Sequence, residues 1–150
     1  VCEAEDQAQA RAAAMRLLAR REHSRRELAR KLVQRGFQRD CIEPALDALT
    51  AENLLSEERY TEQYVRARRE QGYGPLRILA ELGERGIREG LAEPFLHGHD
   101  DWAERAAQAR HKRFGAEGPG NMKERARQYR FLAQRGFSAE QIRVALQDAD

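Results

Sequence analysis

Apolar residues recur at three- and four-residue spacings along most of this chain, with polar residues filling the intervals, the pattern of amphipathic helices. Ala10, Ala14, Leu17 and Leu18 share one helical face; Tyr60, Tyr64, Val65 and Ala67 share another; Trp102, Ala106 and Ala109 share a third. Later segments bury Ile42, Ala45, Leu46 and Leu49, then Leu91, Phe95 and Leu96, then Ile142, Ala145 and Leu146. No run alternates with period two convincingly and β-branched residues are scarce, so strands find no support. Pro44 and Pro94 occupy matching positions and suit the first turn of a short helix better than its middle.

The helices fall into a repeat. Leu32-x-x-Arg35-Gly36-Phe37 returns as Leu82-x-x-Arg85-Gly86-Ile87 and as Leu132-x-x-Arg135-Gly136-Phe137, and Leu46, Leu96 and Leu146 keep the register beyond it. The signature describes a helix carboxyl end: Arg opposes the negative end of the dipole, Gly takes the left-handed position after the cap, and the next apolar residue packs back. Start signals are equally frequent. Ser24 with Glu27 and Ser138 with Gln141 form capping boxes, Asn121 with Glu124 resembles one, Asp40 with Glu43 reads as a capping pair, and Gly74-Pro75 gives an N-cap followed by an N1 proline. The expectation is an all-α chain of three tandem three-helix repeats over 11–54, 55–100 and 101–150, with 1–10 a tail or the start of the first helix.

Composition adds an expectation about shape. Only 41% of the 150 residues are hydrophobic and mean hydropathy is −0.86, which suits several small cores in series, hence an elongated, curved array, better than one large core. No apolar stretch approaches the length that spans a bilayer, and no leader pattern opens the chain, so a cytoplasmic protein is expected. The sequence starts at Val1, so a preceding segment is expected as well. Two cysteines, Cys2 and Cys41, are too few for a disulfide framework or a metal knuckle, and a reducing compartment is the natural home.

Net charge is only +2, but it is unevenly spread. Residues 16–39 hold nine basic and two acidic residues, and residues 105–130 hold eight and two. On the middle helices, positions 28, 29, 32 and 33 and their counterparts face inward, which places Arg30 and Lys31, Arg77, and Lys123, Arg127 and Arg130 on the opposite side. On the first helix of the second repeat, Arg59, Arg66 and Arg69 lie away from Tyr60 and Tyr64. Guanidinium stripes of this kind engage phosphates or acidic protein surface, and with few exposed aromatics they suit backbone contact better than base reading.

Catalytic patterns are missing. Gly72-Tyr73-Gly74 and Gly118-Pro119-Gly120 lack the third glycine and the Lys-Ser/Thr pair of phosphate loops, and read as turns, the first presenting Tyr73. His97, His99, Asp100 and Asp101 lack metal-ligand spacing and read as a polar loop; His23 belongs to the turn before a middle helix, and His111 to a basic first helix. Carboxylates are interleaved with Arg along the helices, as in surface ion pairing. No enzymatic activity, cofactor or metal is expected.

Three blocks of sequence resemble a known family. Leu54-Leu55-Ser56-Glu57-Glu58-Arg59-Tyr60, then Tyr64-Val65-x-x-Arg68, then Gly72-Tyr73-Gly74-Pro75-Leu76-Arg77-Ile78-x-x-Glu81-Leu82-x-x-Arg85-Gly86-Ile87 form the most distinctive. Leu17-Leu18-Ala19-Arg20-Arg21-Glu22-His23-Ser24-x-x-Glu27-Leu28-x-x-Lys31-Leu32 is the second, and Trp102 to Phe114 with Phe131-Leu132-x-x-Arg135-Gly136-Phe137 the third. Together they resemble the RecX family, bacterial regulators of the recombinase RecA, with Ser56-Glu57-Glu58 standing where that family usually has an early Asp and Tyr60 where it has Phe. The resemblance implies a non-enzymatic protein that lodges in the groove of the RecA filament on single-stranded DNA and blocks strand exchange, ATP hydrolysis and repressor co-cleavage. It thereby implies a role in DNA repair and the SOS response. A direct DNA-binding helical module and a helical-repeat scaffold for another protein are the alternatives. The contact candidates are Arg25, Arg26, Arg30 and Lys31; Arg66, Arg69, Tyr73 and Arg77; and Lys123, Arg127 and Arg130, on a monomer that also has the option of touching DNA directly.

Overall fold

Capping residues and apolar rows divide the chain into helices, and the computed structural model, which describes residues 2–149, is helical throughout its regular structure. The described residues form α1 (Ala4–Arg20), α2 (Arg25–Gln34), α3 (Arg39–Ala51), α4 (Glu57–Glu70), α5 (Pro75–Glu84), α6 (Glu89–His97), α7 (Trp102–Phe114), α8 (Met122–Arg135) and α9 (Ala139–Ala149). They contain no strand. Three helices fall in each repeat, and residues 4–10 are the start of α1 rather than a tail.

Local chemistry accounts for the ends. Ser24 accepts from the Glu27 N–H while the Glu27 carboxylate accepts from the Ser24 N–H, a complete capping box. Ser138 and Gln141 exchange the same two bonds, at 3.2 and 2.9 Å. Asn121 accepts from the Glu124 N–H at 2.8 Å. Asp40 with Glu43 does not cap: α3 begins at Arg39 behind Gln38, which makes no side-chain cap bond, so Asp40 lies in the first turn beside the positive end of the dipole. Starting there also carries Pro44 into the helix interior, as Pro94 is in α6. Both prolines are exposed.

The repeated signature ends helices as its residues require. Gly36, Gly86 and Gly136 have φ of +94°, +84° and +100°. Phe37 N–H donates to the Leu32 carbonyl at 3.1 Å and Gly36 N–H to that of Val33 at 3.0 Å, a Schellman pair that recurs from Phe137 and Gly136 to Leu132 and Ala133.

The chain divides into two compact units, Val1–Gln63 with Glu84–Ile87, and Tyr64–Gly83 with Arg88–Asp150. In the first, α1, α2 and α3 enclose a core that includes Leu17, Leu28, Leu32, Ile42, Leu46, Leu49 and Leu55. Each such side chain contributes about 1.5–3 kcal/mol by leaving water. A satellite cluster of Ala10, Cys41 and Ala45 lies beside it, and there Cys2 and Cys41 form a disulfide with 5.2 Å between their Cα atoms. The two cysteines thus serve each other, tying the start of α1 to that of α3. In the second unit α7, α8 and α9 pack on one another. Buried there are Ile78, Leu82, Ala92, Leu96, Trp102, Ala106, Leu132, Ile142 and Leu146.

The inward row of the middle helices is narrower than the spacing suggests. Positions 28 and 32, 78 and 82, and 128 and 132 are buried, with Gln128 in the place of Leu28 and Ile78. Val33, in the last turn of α2, is 44% exposed. No helix of the described residues is long and apolar enough to cross a membrane.

Candidate polyanion-binding face

Within the second unit, three chain segments bring guanidinium groups and aromatic rings into one alternating series. The first begins where α4 ends. Tyr73 N–H donates to the Arg68 carbonyl at 3.1 Å and Gly72 N–H to that of Arg69 at 3.0 Å, with Gly72 at φ +91°, so the Gly-Tyr-Gly turn projects Tyr73 beside the last turn of α4. The Arg68 guanidinium sits 3.8 Å from the Tyr73 ring centroid, Arg77 of α5 4.3 Å, and Arg135 of α8 4.9 Å. Arg135 also lies 5.1 Å from Phe131. Arg113 of α7 follows at 6.0 Å from Phe131 and 5.2 Å from Phe114, and Arg127 closes the series at 5.2 Å from Phe114. The Phe114 and Phe131 rings meet edge to face, with centroids 5.4 Å apart.

A guanidinium within about 6 Å of a ring face is held there by the ring quadrupole. Its N–H donors lie in its own plane, and several here are engaged within the unit: Arg68 gives Nε and Nη2 to Glu81 and Nη1 to Gln71, Arg77 gives Nη1 to the Gln134 carbonyl, and Arg135 gives Nη1 to that of Gln71. The rings therefore act as spacers that fix donor positions. With their faces taken by arginine, they are poor platforms for bases.

Glu81 anchors one end of the series. It accepts from Tyr64 Oη at 2.7 Å, from Arg68 Nε and Nη2 at 2.9 and 2.7 Å, and from Arg77 Nε at 3.2 Å. Burial pushes the Glu81 carboxyl up, but the bonds from Arg68, Tyr64 and Arg77 outweigh it and leave the group below its ordinary value. Glu81 therefore stays ionised and holds two guanidinium groups in place.

The expected contact residues separate into classes. Tyr73, Arg77 and Arg127 belong to the series; Arg127 also pairs with Glu124 at 3.2 Å on an exposed face, a weak bond. Lys123 and Arg130 of α8, and Arg30 of α2, are exposed and make no ion pair among the described residues. Arg66 is exposed on α4 but has an interaction of its own. Arg25 is engaged by Glu43 and Asp47, both at 2.7 Å, and Arg26 Nη1 donates to the Glu84 carbonyl at 3.3 Å. Of the residues that the helical wheel turns outward, Arg59 is held by Glu22 at 2.8 Å.

Arg69 corrects the wheel. It is 7% exposed, pairs with Asp101 and lies 4.9 Å from the Trp102 ring. The buried row of α4 runs through Thr61 and Val65, and Arg69 is its next member, whereas Ala67, read as inward, is exposed. Asp101 of the polar loop thus serves as an ion-pair partner. Arg110 is a second buried cation that periodicity does not reveal: it donates to the Gly115 and Glu117 carbonyls, both at 3.1 Å, and to Gln128 Oε1 at 3.3 Å. It organises the loop between α7 and α8.

Lys31 is likewise committed inside the first unit. Its ammonium donates to His23 Nε2 at 3.0 Å, while His23 Nδ1–H donates to the Arg21 carbonyl at 3.0 Å. His23 is buried, and burial, with Arg21 and Lys31 nearby, holds its pKa below the ordinary 6.5. The folded state therefore binds fewer protons than the unfolded one as pH falls. Stability from this site is complete above about 6.5 and is lost below it, as pH falls toward the depressed folded value. The thermal midpoint is expected to drop between pH 7.5 and pH 5, and less so in His23→Gln, which retains His99 and can satisfy both partners. Equal drops would assign the effect elsewhere.

The chain is thus an all-α protein of three-helix repeats that carries a fixed series of guanidinium and aromatic side chains. Family models match along its length: the first three-helix domain of RecX at residues 10–49, the second at 56–94 and the third at 99–146. Among similar proteins, the regulatory protein RecX of Halorhodospira halophila is 48% identical over 93% of this chain and 88% of its own length. That of Pseudomonas entomophila is 50% identical over 93% and 91%. The crystal structure of RecX from Lactobacillus salivarius superposes with a TM-score of 0.85 over 99% of both chains at 24% identity, a likeness of fold. The chain belongs to the RecX family.

Proposed function

We propose that this chain is a regulator of RecA that acts by binding, without catalysis, in the groove of the RecA filament on single-stranded DNA. There it opposes strand exchange, ATP hydrolysis and repressor co-cleavage, and so tempers repair and the SOS response in the cytoplasm. The family supplies the regulatory role. The guanidinium and aromatic series from Arg68 to Arg127 carries the rest of the reading, since its donors are fixed in advance and bind an anionic polymer with little further loss of side-chain entropy. With Arg30, Lys123 and Arg130 exposed as well, cationic contacts are spread along the chain, as a polymer ligand requires.

Co-sedimentation with RecA assembled on single-stranded DNA tests the proposal against RecA alone and DNA alone. The chain is expected to pellet with the filament far more than with either component, and to slow ATP turnover and strand exchange. Reversing charge at Arg127 and Arg130 together is expected to weaken filament binding about tenfold or more. Their exposure should leave thermal stability nearly unchanged. Unchanged turnover at saturating protein would remove the proposal, and tight duplex binding without RecA would favour a direct DNA-binding module instead.

A further inference from the structure

The second unit buries two arginines, and they differ in how their charge is balanced. Arg69 has the carboxylate of Asp101. Arg110 is 3% exposed and has only uncharged acceptors: the Gly115 and Glu117 carbonyls, both at 3.1 Å, and Gln128 Oε1 at 3.3 Å. It makes no ion pair among the described residues, and Glu117, whose backbone it takes, is exposed. The first carboxylate its network reaches is Glu124, one bond further on, to which Gln128 Nε2 donates at 3.4 Å and which Arg127 already holds at 3.2 Å. Hydrogen bonds of this kind satisfy the donors of Arg110 but leave its charge out of water without an opposite charge beside it.

Nor is the balance made nearby. Residues 105–130 hold eight basic residues against Glu117 and Glu124 alone. Lys112 and Arg113 on the last turn of α7, and Lys123 and Arg130 on α8, are exposed and make no ion pair among the described residues. Arg110 lies one helical turn before Phe114, and Gln128 adjoins Arg127. The buried charge therefore adjoins the end of the series where Arg113 and Arg127 each lie 5.2 Å from the Phe114 ring. A charge enclosed in a low-dielectric body projects its field to the surface above it with little screening by salt.

We infer that the counter-charge of Arg110 comes from the ligand, as the phosphates of a single DNA strand lying over the α7 and α8 end of the series, and that Arg110 sets affinity there without touching the strand. The inference rests on the proposal that this chain binds an anionic polymer, and it names a charge that draws the polymer in. A nucleic-acid backbone brings one fixed negative charge per nucleotide, which matches cations spread over two helices better than isolated carboxylates on a folded protein do. Coupling of this kind is reciprocal, so a carboxylate set beside Arg110 from within the chain stabilises the fold and opposes the ligand.

Moving one carboxylate at constant net charge tests this. Glu124→Gln combined with Gln128→Glu carries the charge one turn along α8 to the buried position beside Arg110, keeps an amide next to a carboxylate, and releases Arg127 from its ion pair. Glu124→Gln alone is the reference. The thermal midpoint of the exchanged protein is expected to exceed that of the reference by about 3 °C or more. Fluorescence anisotropy of a labelled single-stranded oligonucleotide at low salt is expected to show the exchanged protein binding about fivefold more weakly than the parent, even though Arg127 is released, while the reference binds at least as tightly as the parent. A purely structural Arg110 would give the rise in stability without the loss of binding. A midpoint that does not rise would show that the neutral acceptors already suffice, and equal binding by exchanged protein and parent would show that the charge does not reach the ligand; either overturns the inference. A parent that pellets with the RecA filament yet ignores the oligonucleotide would place the counter-charge on protein carboxylates, overturning the inference while leaving the proposed function standing. A parent that binds neither would remove both.

Discussion

Alanine placed in turn at Gly36, Gly86 and Gly136 is expected to destabilise the protein by rising amounts, although all three glycines have φ near +90°. At Gly36 only the left-handed backbone is penalised, at about 1 kcal/mol. At Gly86 the new Cβ would lie 3.0 Å from Arg26 Cβ and 3.1 Å from its Nε. Those atoms belong to a side chain that can shift, so about 2 kcal/mol is expected, and more for the β-branched Gly86→Val. At Gly136 the Cβ would fall 2.3 Å from Arg77 Cβ and 2.6 Å from its backbone N, which cannot move without pulling α5 away. The hydrogen bonds from Gly74 and Leu76 would go too, for about 4 kcal/mol or more. Gly74→Ala is the control: its φ is ordinary, but its Cβ would lie 2.4 Å from the Gly136 carbonyl carbon, so its cost is contact alone. Urea denaturation of the four variants decides. Equal costs at the three repeated glycines would show that the neighbouring helix start is irrelevant.

That series also marks where the sequence stops speaking. The left-handed glycines, the capping boxes and the three-helix repeat follow from local chemistry, and a local pattern is what a sequence displays. The junction role of the same glycines is not local. Arg35, Arg85 and Arg135 look alike in the sequence, and only the packing shows that the turn after Arg85 and Arg135 has a helix start against it while the turn after Arg35 has none. The guanidinium series was partly visible: Arg127, Phe131 and Arg135 are spaced by four, and Arg113 adjoins Phe114. Its completion required α5, α7 and α8 to converge, and so the surface that seemed poor in aromatics has three rings threaded between its cations. Arg69 and Arg110 escaped because periodicity sorts residues by polarity, and an arginine buried against an ion-pair or hydrogen-bond partner has the polarity of a surface one.

Arg69→Met is expected to destabilise the second unit by about 2–4 kcal/mol and, through it, to weaken polyanion binding at a distance. The substitution keeps an apolar stem beside Trp102 but removes the cation from the ring and from Asp101. Asp101 would keep only Arg105, at 3.5 Å, which holds the cost below that of a fully buried orphan charge. Removing both partners should cost less than the two single changes added together. Arg69→Met with Asp101→Asn is therefore expected to be more stable than additivity allows, by about 1 kcal/mol or more. Arg68 is the adjacent residue on the last turn of α4, and its place on Tyr73 requires that turn to be fixed. Filament binding should accordingly fall in Arg69→Met even where the protein is still folded, and recover in part in the double variant. Strict additivity in stability would mean that Arg69 and Asp101 act independently, and binding that is indifferent to both changes would detach the buried pair from the face it supports.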